Sequence, residues 1–588
     1  MRIDYALRNT CRVEDLVKPL AIACITLYNE PLAELKSTIK SLITSIEDCF
    51  DHKTFSRKRI VFTIIADGID KVDRELVHWL QHAGMINHGK ATTDVWHTNN
   101  NLSRTSNLFS ETVKRSHFDI GSVVYLKQKN KGKLHSHRLF FTDLCKTLEP
   151  NFIFQMDTGT IIKENALRKS IEYFEESPDV GAVCPQINVE EASLNSSFLH
   201  SWQFIDMAMQ AHTWPAEEEF GHLSVIPGQF CALRWGALTN NPQDESEQCI
   251  IDLYLRGLEP KNVFEKILFL TEDRVIGSDM VLCHKEKWKI CYAPDVIAVT
   301  DTCKSYGTLL RQRRRWENGA TLGRLSFVQG VGKYLMRPDR TIMEKSAFLP
   351  ACFWQLTTVV KTVISTALLM AQILFFVQDL SIQITSGHHF MAFLMPLLIT
   401  AVAAGSAAGG SKYGDLLAKL SSISAWAFML LWFYITRDKL AWILLMASRY
   451  IYVCALGFYY PKKAYYFALI WPKFFLLDTT LGITIGTYSM LRLGDVSWGT
   501  KDLTQGKLSE NKYIYGIQII WILITLFLLI ATYGKSGILI DNLNPLLEIR
   551  VFLDLTVLAA AACYYLSYFF SQAEILKWVL VSLNLSKD

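Results

Sequence analysis

The sequence has no large surplus of positive or negative charge, and its cysteines are not clustered. Its 588 residues contain 60 Lys and Arg against 56 Asp and Glu, a net charge of +4. This balance argues against nucleic acid as a partner, because proteins that bind it usually carry a basic field. The 13 cysteines are scattered without a CxxC pair. That excludes metal ribbons and thioredoxin-like redox motifs and predicts free thiols in a reducing compartment.

Short apolar runs dominate the first 345 residues, and long ones follow. The first twenty residues lack the apolar core of a signal peptide, so we expect the N-terminal half to remain in the cytosol. Beyond residue 346 the apolar runs reach about 20 residues, the length that crosses a bilayer. The predicted spans are 348–377, 390–409, 417–436, 440–460, 513–534 and 551–571.

The stretch 464–490 is apolar too, but Pro472, Lys473 and Asp478 interrupt it. We predict an interfacial or re-entrant helix there. Six crossings leave both termini on the cytosolic side, and the excess of Lys and Arg in the predicted inner loops favours this topology. The expected organisation is a cytosolic domain over 1–320, an interfacial connector over 321–347 and a transmembrane domain over 348–588.

Four Val-, Ile- and Phe-rich runs in the cytosolic domain predict strands, at 19–30, 59–70, 121–128 and 151–160. Their alternation with helical segments predicts an α/β fold, a mostly parallel sheet with helices on both faces. Segment 87–118 is rich in Asn, Thr and Ser and predicts a surface excursion.

Carboxylates follow three of these runs. Glu30, Asp67 and Asp157 should emerge at the carboxyl ends of the strands, where ligands of such sheets bind. Together they indicate a site for a nucleotide, a metal, or both, although each one could instead cap a turn. The basic run from Lys127 to Lys133 contains a glycine and suits phosphate binding or, alternatively, a solvated face.

Two further motifs carry chemistry. The acid pair Glu272-Asp273 could supply a general base for an acceptor hydroxyl. In the segment QRRRW, which ends at Trp316, arginines could neutralise a pyrophosphate and the indole could stack on a sugar. The other interpretation of QRRRW is a basic membrane anchor with its Trp at headgroup depth.

These residues resemble the family 2 processive glycosyltransferases, and among them the chitin synthases. The motifs occur in the family's order: TLYNE, ADG, KNKGKLHSHRLFF, QMDTGT, VIPGQF, TEDR, QRRRW and SWGTK. The resemblance extends from about residue 20 to 320, and SWGTK continues it into the apolar half. It implies a GT-A domain that adds N-acetylglucosamine from UDP-GlcNAc to a growing β-1,4-linked chitin chain.

The resemblance also implies roles for individual residues. The donor nucleotide would be held by Thr26, Tyr28, Glu30, Asp67, Lys131, Lys133 and Asp157. Asp157 would also coordinate Mg²⁺ or Mn²⁺, and Asp273 would be the base, with Glu272 and Arg274 around it. The acceptor site and channel entrance would include Pro227, Gly228, Gln229, Phe230, Gln312, Arg313, Arg315, Trp316 and Trp498.

The expected protein is therefore a processive, inverting enzyme of the plasma membrane that also exports its polymer. Its partners would be UDP-GlcNAc, the chitin chain and the lipid bilayer, and a homodimer is left open. Two alternatives remain at this point. One is a synthase of hyaluronan or another β-linked polysaccharide, and the other is a polysaccharide transporter whose cytosolic domain senses nucleotide sugars.

Overall fold

The computed structural model describes most of the N-terminal half and a smaller part of the apolar half. The described residues are 19–51, 60–68, 71–82, 92–97, 103–115, 118–127, 130–211, 213–239, 249–261, 265–266, 270–338, 340–363, 464–493 and 517–524.

A single ten-stranded sheet forms the frame of the described domain. Its strands are β1 (Ala21–Leu27), β2 (Ile60–Asp67), β3 (Thr92–His97), β4 (Ser103–Arg115), β5 (Phe118–Lys127), β6 (Phe152–Asp157), β7 (Ile161–Ile162), β8 (Val180–Val189), β9 (Phe230–Arg234) and β10 (Lys289–Thr300). They lie in the order β3-β4-β5-β2-β1-β6-β9-β8-β10-β7. The strands predicted from the four apolar runs are confirmed as β1, β2, β5 and β6.

Helices cover the sheet and continue beyond it. In the first part of the domain they are α1 (Leu32–Asp51), α2 (Arg74–His82), α3 (Lys133–Leu139), α4 (Lys146–Leu148), α5 (Ala166–Glu176), α6 (Phe198–Ala211) and α7 (Trp214–Glu219). Those that follow are α8 (Trp235–Leu238), α9 (Ile250–Leu255), α10 (Glu272–Cys283), α11 (Tyr306–Leu335), α12 (Ile342–Ala347), α13 (349–363) and α14 (Ala464–Leu491). A π-helical turn, Phe140–Cys145, joins α3 to α4.

The centre of the sheet is parallel, and its strands β1 and β2 are buried along their whole length. Strands β5, β2, β1 and β6 run parallel to one another, and every residue of β1 and β2 is buried. Burial on both faces explains why these strands are continuous apolar runs without an alternating polar position.

The sheet as a whole is mixed, which corrects the prediction of a mostly parallel one. Of its nine strand pairs, four are parallel and five are antiparallel. Strand β9 lies antiparallel between β6 and β8, and β7 is antiparallel to β10. Short segments of this kind carry no apolar run long enough to show their direction in the sequence.

The expected surface excursion over 87–118 is also wrong where the chain is described. Strands β3 and β4 extend the sheet at its edge, β4 pairing antiparallel with β5 along ten residue pairs. Antiparallel strands can leave one face to solvent and so carry polar residues, which is why the Ser and Thr residues of this segment resemble a loop in the sequence.

Helix α14 confirms that the interrupted apolar stretch is helical, and it explains the interruptions. Lys473 Nζ donates to the Ser196 carbonyl at 2.6 Å, and Trp202 Nε1 donates to Asp478 Oδ1 at 3.3 Å. The two charged residues therefore attach α14 to the sheet domain through α6 and the segment before it. Within the described residues, no helix is both long enough and apolar enough to cross a membrane. The spans predicted at 390–409, 417–436, 440–460 and 551–571 lie outside those residues.

The contact between α10 and α11 gives a stability prediction. A Cβ added to Gly319 on α11 would lie 2.0 Å from Thr271 Cγ2, whereas one added to Gly332 on the same helix would meet nothing within 4 Å. We expect Gly319→Ala to destabilise the protein by about 1–3 kcal/mol. Gly332→Ala should instead stabilise it by about 0.5–1 kcal/mol, since Ala is the better helix former. Thermal unfolding of the two purified variants tests the pair, and equal midpoints would contradict the packing described here.

Candidate active site

The carboxyl ends of the central parallel strands meet at one rim of the sheet, as the sequence predicts. Thr26 at the end of β1 and Asp157 at the end of β6 are register partners, and Thr26 Oγ1 donates to Asp157 Oδ1 at 2.9 Å. Asp67 ends the neighbouring strand β2. The topology therefore brings the predicted donor-side residues to one crevice.

Asp67 organises the loop that follows β5. It is almost fully buried, forms an ion pair with Lys127 Nζ and accepts a hydrogen bond from the Lys131 backbone N–H at 2.9 Å. Gly68, with φ +98°, lies so close to this loop that an added Cβ would be 2.9 Å from the Asn130 nitrogen. Asp67 and Gly68 thus hold the basic loop against the strand end.

Lys133, the first residue of α3, connects the donor side of the crevice to the acid pair. Its Nζ lies 2.8 Å from Asp157 Oδ1, 3.1 Å from the Gly228 carbonyl oxygen and 3.4 Å from Glu272 Oε1. An ammonium has three donors, so these three acceptors can use all of them. The Lys133 and Glu272 side chains are both under 10% exposed, while that of Asp157 is 35% exposed.

Burial and the neighbouring charges shift the pKa values of this cluster in opposite directions. Burial lowers the pKa of Lys133, but the nearby charges of Asp157 and Glu272 outweigh it and the pKa rises above its ordinary value. Burial raises the pKa of Glu272, and the Lys133 charge opposes that shift. The Lys133 ammonium therefore stays charged although it is buried, because two carboxylates compensate for its lost hydration.

The segment from Pro227 to Phe230 joins the same cluster through its backbone. Besides the Gly228 carbonyl bound to Lys133, the Gln229 carbonyl accepts from the Asp157 N–H at 3.0 Å. A Cβ on Gly228 would lie 3.0 Å from Lys133 Nζ and 3.7 Å from Asp273 Cβ, so glycine leaves room for the ammonium. Phe230 is fully buried and stacks on Phe154, so its ring packs in the core of the sheet.

The acid pair and QRRRW lie on adjacent helices. Glu272 and Asp273 are in the first turn of α10, and the motif lies within α11, which packs on α10 through Gly319 and Thr271. Burial raises the pKa of Glu272, and the charge of Arg315, within this motif, is one of those that oppose the shift. The structure thus brings the two motifs together at one end of the crevice.

Other QRRRW side chains pack inside the protein. Arg313 is 3% exposed, forms an ion pair with Asp206, and lies between the rings of Trp202 and Trp316, at 5.0 and 4.6 Å from their centroids. Trp316 is half-buried against the core, so the guanidinium of Arg313 covers part of the indole that the sequence predicts could stack on a sugar. Gln312 Oε1 accepts a long hydrogen bond from Cys303 Sγ at 3.3 Å.

Two of the TLYNE residues, Tyr28 and Glu30, are joined by a local hydrogen bond. Tyr28 is buried, and its backbone N–H donates to Glu30 Oε2 at 2.7 Å. Glu30 therefore caps its own turn, which was the alternative that the sequence left open. Trp498 and the SWGTK motif lie outside the described residues.

Asp157 is the residue best placed to hold a divalent metal. In the part of the chain that the structure describes, no group of three or more His, Cys, Asp or Glu is arranged as a metal site. Gly159 stands two residues after Asp157, where a second acid would be expected of a DxD motif. Mg²⁺ is commonly bound through one or two carboxylates together with substrate phosphates. A partly exposed Asp157 fits a metal of that kind.

Two contributors to the site are not predicted by the sequence, whereas Lys127, in the predicted basic run, is the register partner of Asp67 across β2 and β5. Asp206 compensates the buried Arg313, and Glu217, in the acidic run AEEE, is a buried acceptor. Neither acid is distinguishable by sequence from an ordinary surface carboxylate.

Known proteins are similar to the part of the chain that contains this site. A family model described as a chitin synthase-like glycosyltransferase domain matches residues 20–329. Chitin synthase 1 of Phytophthora sojae (strain P6497) is 28% identical over 367 residues, which cover 59% of this chain and 39% of that protein. Chitin synthase 1 of Mycosarcoma maydis is 28% identical over 335 residues, which cover 51% of this chain and 36% of that protein. The chain thus matches less than half the length of these two relatives.

The matched region contains the ten-stranded sheet, the Lys133 cluster and most of α11. The mixed sheet with its flanking helices fits a GT-A-like domain, as the sequence predicts. The family match covers more than half of the chain and includes every predicted site residue except Trp498. The chain therefore belongs to the family of chitin synthase-like glycosyltransferases.

Proposed function

We propose that this protein polymerises N-acetylglucosamine from UDP-GlcNAc into β-1,4-linked chitin by a processive, inverting transfer. The observation that carries the proposal is the position of Lys133. One ammonium lies within 3.4 Å of a carboxylate at the strand-end rim and of a carboxylate in the acid pair. A donor held at the rim and an acceptor held beside the acid pair would then be adjacent, and such positioning supplies much of the rate of a bimolecular transfer.

In the proposed reaction Asp273 removes the proton from the acceptor hydroxyl. The acceptor oxygen forms a bond to the anomeric carbon while the bond from that carbon to the UDP oxygen breaks, and UDP leaves with the electron pair. A single in-line displacement inverts the anomeric centre and needs no enzyme nucleophile. Lys133 and Arg315 keep the site electrostatically balanced beside Glu272, and Gly228 gives the ammonium room.

Asp157 would hold a divalent metal in this proposal, with Thr26 orienting the carboxylate. Such an ion, Mg²⁺ or Mn²⁺, would offset the negative charge that develops on the UDP leaving group. Asp67 would act on the nucleotide through the Lys131–Lys133 loop that it positions.

We further propose that the apolar half lies in a bilayer. The support comes from the helices that connect this half to the catalytic domain. Ile342, Met343 and Phe353, on α12 and α13, are between 73% and 87% exposed. Exposed apolar clusters of this kind are typical of membrane contact. Passage of the polymer through this half and a plasma-membrane location belong to the same proposal, since a sugar chain does not cross hydrocarbon unaided.

Product analysis with one donor tests the polymer. Purified, reconstituted protein supplied with UDP-GlcNAc and a divalent metal should make an insoluble product that chitinase digests. Hyaluronan synthesis would need UDP-glucuronate as well, so product from UDP-GlcNAc alone separates the two synthases. A transporter with a sensing domain would release no UDP.

The role of Asp273 gives a prediction about polymer formation. Asp273→Asn should bind UDP-GlcNAc as the parent protein does but lower polymer formation at least about a hundredfold, the contribution typical of a general base. Binding is measured by calorimetry and polymer by incorporation of labelled sugar. Asp252→Asn, at an exposed position of α9, is the matched control and should retain full activity. Normal synthesis by Asp273→Asn would reject the assigned base.

The Lys133 cluster gives a prediction about stability and activity. Lys133→Met removes the ammonium and leaves Asp157 and Glu272 without its charge, so we expect a loss of stability of about 3–5 kcal/mol, as for other broken buried ion pairs. Activity should be lost with it. Lys163→Met, at an exposed position, should change neither. The unfolding midpoints of the three proteins decide, and a Lys133→Met protein as stable as the parent would show that the cluster is not a stabilising one.

Trp316 gives a prediction about chain elongation. Trp316→Ala should lower chain elongation more than hydrolysis of UDP-GlcNAc, because the acceptor loses its aromatic contact while the donor side is unaltered. Trp316→Phe keeps a ring against Arg313 and should recover most of the elongation. Equal losses of elongation and hydrolysis in Trp316→Ala would mean that the indole acts only through folding.

A further inference from the structure

A series of polar contacts leads from the acid pair towards the apolar half. The Asp273 carbonyl accepts from the Ile226 N–H at 2.8 Å, and Arg274 Nη1 donates to the Ser224 carbonyl at 3.3 Å. The segment 224–226 is therefore bonded both to the peptide of Asp273 and to the side chain that follows it. Any displacement of this segment acts directly on the first turn of α10.

Glu217 on α7 continues the series. Its Oε2 accepts from the Ser224 N–H at 2.9 Å, and its Oε1 accepts from Trp354 Nε1 at 3.2 Å. Trp354 belongs to α13, the helix at the start of the first predicted membrane span. Glu217 is only 2% exposed, so each oxygen depends on a protein donor for the hydration it has lost. One buried carboxylate thus connects α13 to the segment that holds the acid pair.

A second connection runs beside the first. Arg324 Nε on α11 donates to Gln355 Oε1 on α13 at 3.0 Å, and Gln355 is fully buried. Gly323, one residue earlier, lies against Arg274, since an added Cβ would be 3.4 Å from Arg274 Cδ. Burial and the charge of Arg274 lower the pKa of Arg324 to about 10, with Glu217 acting in the opposite direction. The adjacent residues Trp354 and Gln355 of α13 are thus connected to Arg274 indirectly, one through Glu217 and Ser224 and the other through Arg324 and the neighbouring Gly323.

We propose that Glu217 is a positioning residue that couples the acid pair to α13, so that the position of this helix sets the geometry of sugar transfer. The inference rests on the proposed function, because it concerns the base of that reaction. A polymerising enzyme has to move its product by one sugar after each addition. A rigid link between the acid pair and the first helix of the apolar half keeps the base aligned with the acceptor while the chain moves past it.

The test compares transfer with donor hydrolysis in the full-length protein. Glu217→Gln keeps the shape of the side chain but turns one acceptor into a donor that faces an N–H group, and Trp354→Phe removes the indole donor alone. Thr357→Val is the matched control, because within the described part of the chain Thr357 Oγ1 bonds only to the Phe353 carbonyl of its own helix. Released UDP and incorporated sugar are measured in the same reaction.

We expect sugar incorporated per UDP released to fall about tenfold in both variants, the effect of losing about 1.4 kcal/mol of alignment. It should be unchanged in Thr357→Val. The double variant should be no worse than the more affected single one, because both substitutions break the same contact. Additive losses, or a ratio equal to that of the control, would overturn the coupling. So would a proportional fall of incorporation and UDP release, which is the result that a purely structural contact predicts.

Amide hydrogen exchange separates this inference from the proposed function. Trp354→Phe should speed exchange at the Ser224 and Ile226 amides, whereas Thr357→Val should leave it unchanged. If the parent protein makes no polymer but Trp354→Phe still speeds this exchange, the proposed function fails and the coupling stands. If polymer is made while exchange is the same in both variants, the coupling is wrong and the function stands.

Discussion

The buried ammonium of Lys133 is the interaction on which the rest of the site depends. It compensates two carboxylates that arrive from different parts of the chain, Asp157 at the end of β6 and Glu272 at the start of α10. Without a cation between them, these groups would repel one another at low dielectric. Their convergence in one crevice is therefore conditional on the loop that Asp67 and Gly68 hold in place.

The other buried charges are compensated by nearby polar or charged groups in the same way. Arg313 is compensated by Asp206 and two indole rings, and Glu217 by a backbone N–H and an indole N–H. The partners Asp206, Trp202 and Trp354 lie more than 100 residues from the charges that they contact, whereas Ser224 and Trp316 are near neighbours in sequence. A misplaced partner would leave one of these charges buried without compensation. The contacts therefore favour one arrangement of the helices over others. Around the acid pair they specify how α10, α11 and α13 meet.

Helix α14 shows how a charged residue within an apolar run can be misjudged. Lys473 and Asp478 interrupt the run and so argue against a simple span, and both bond to the sheet domain. The sequence indicates that the stretch is unusual but not what it binds. The partners, Ser196 and Trp202, lie more than 270 residues earlier in the chain, and no local pattern identifies them.

The apolar runs alone determined β1, β2, β5 and β6, because strands buried on both faces have to be continuously hydrophobic. They also placed Asp67 and Asp157 at one rim, since the ends of parallel strands coincide. The motifs identified the family and the candidate residues. Only the tertiary structure decided that β9 is antiparallel, that Glu30 caps a turn, that a guanidinium packs against Trp316, and that Glu217 is buried. Strand direction and the burial of Arg313 and Glu217 depend on partners far apart in the chain, which composition and spacing do not encode. The cap by Glu30 is local, but residue types alone do not fix the backbone geometry that it needs.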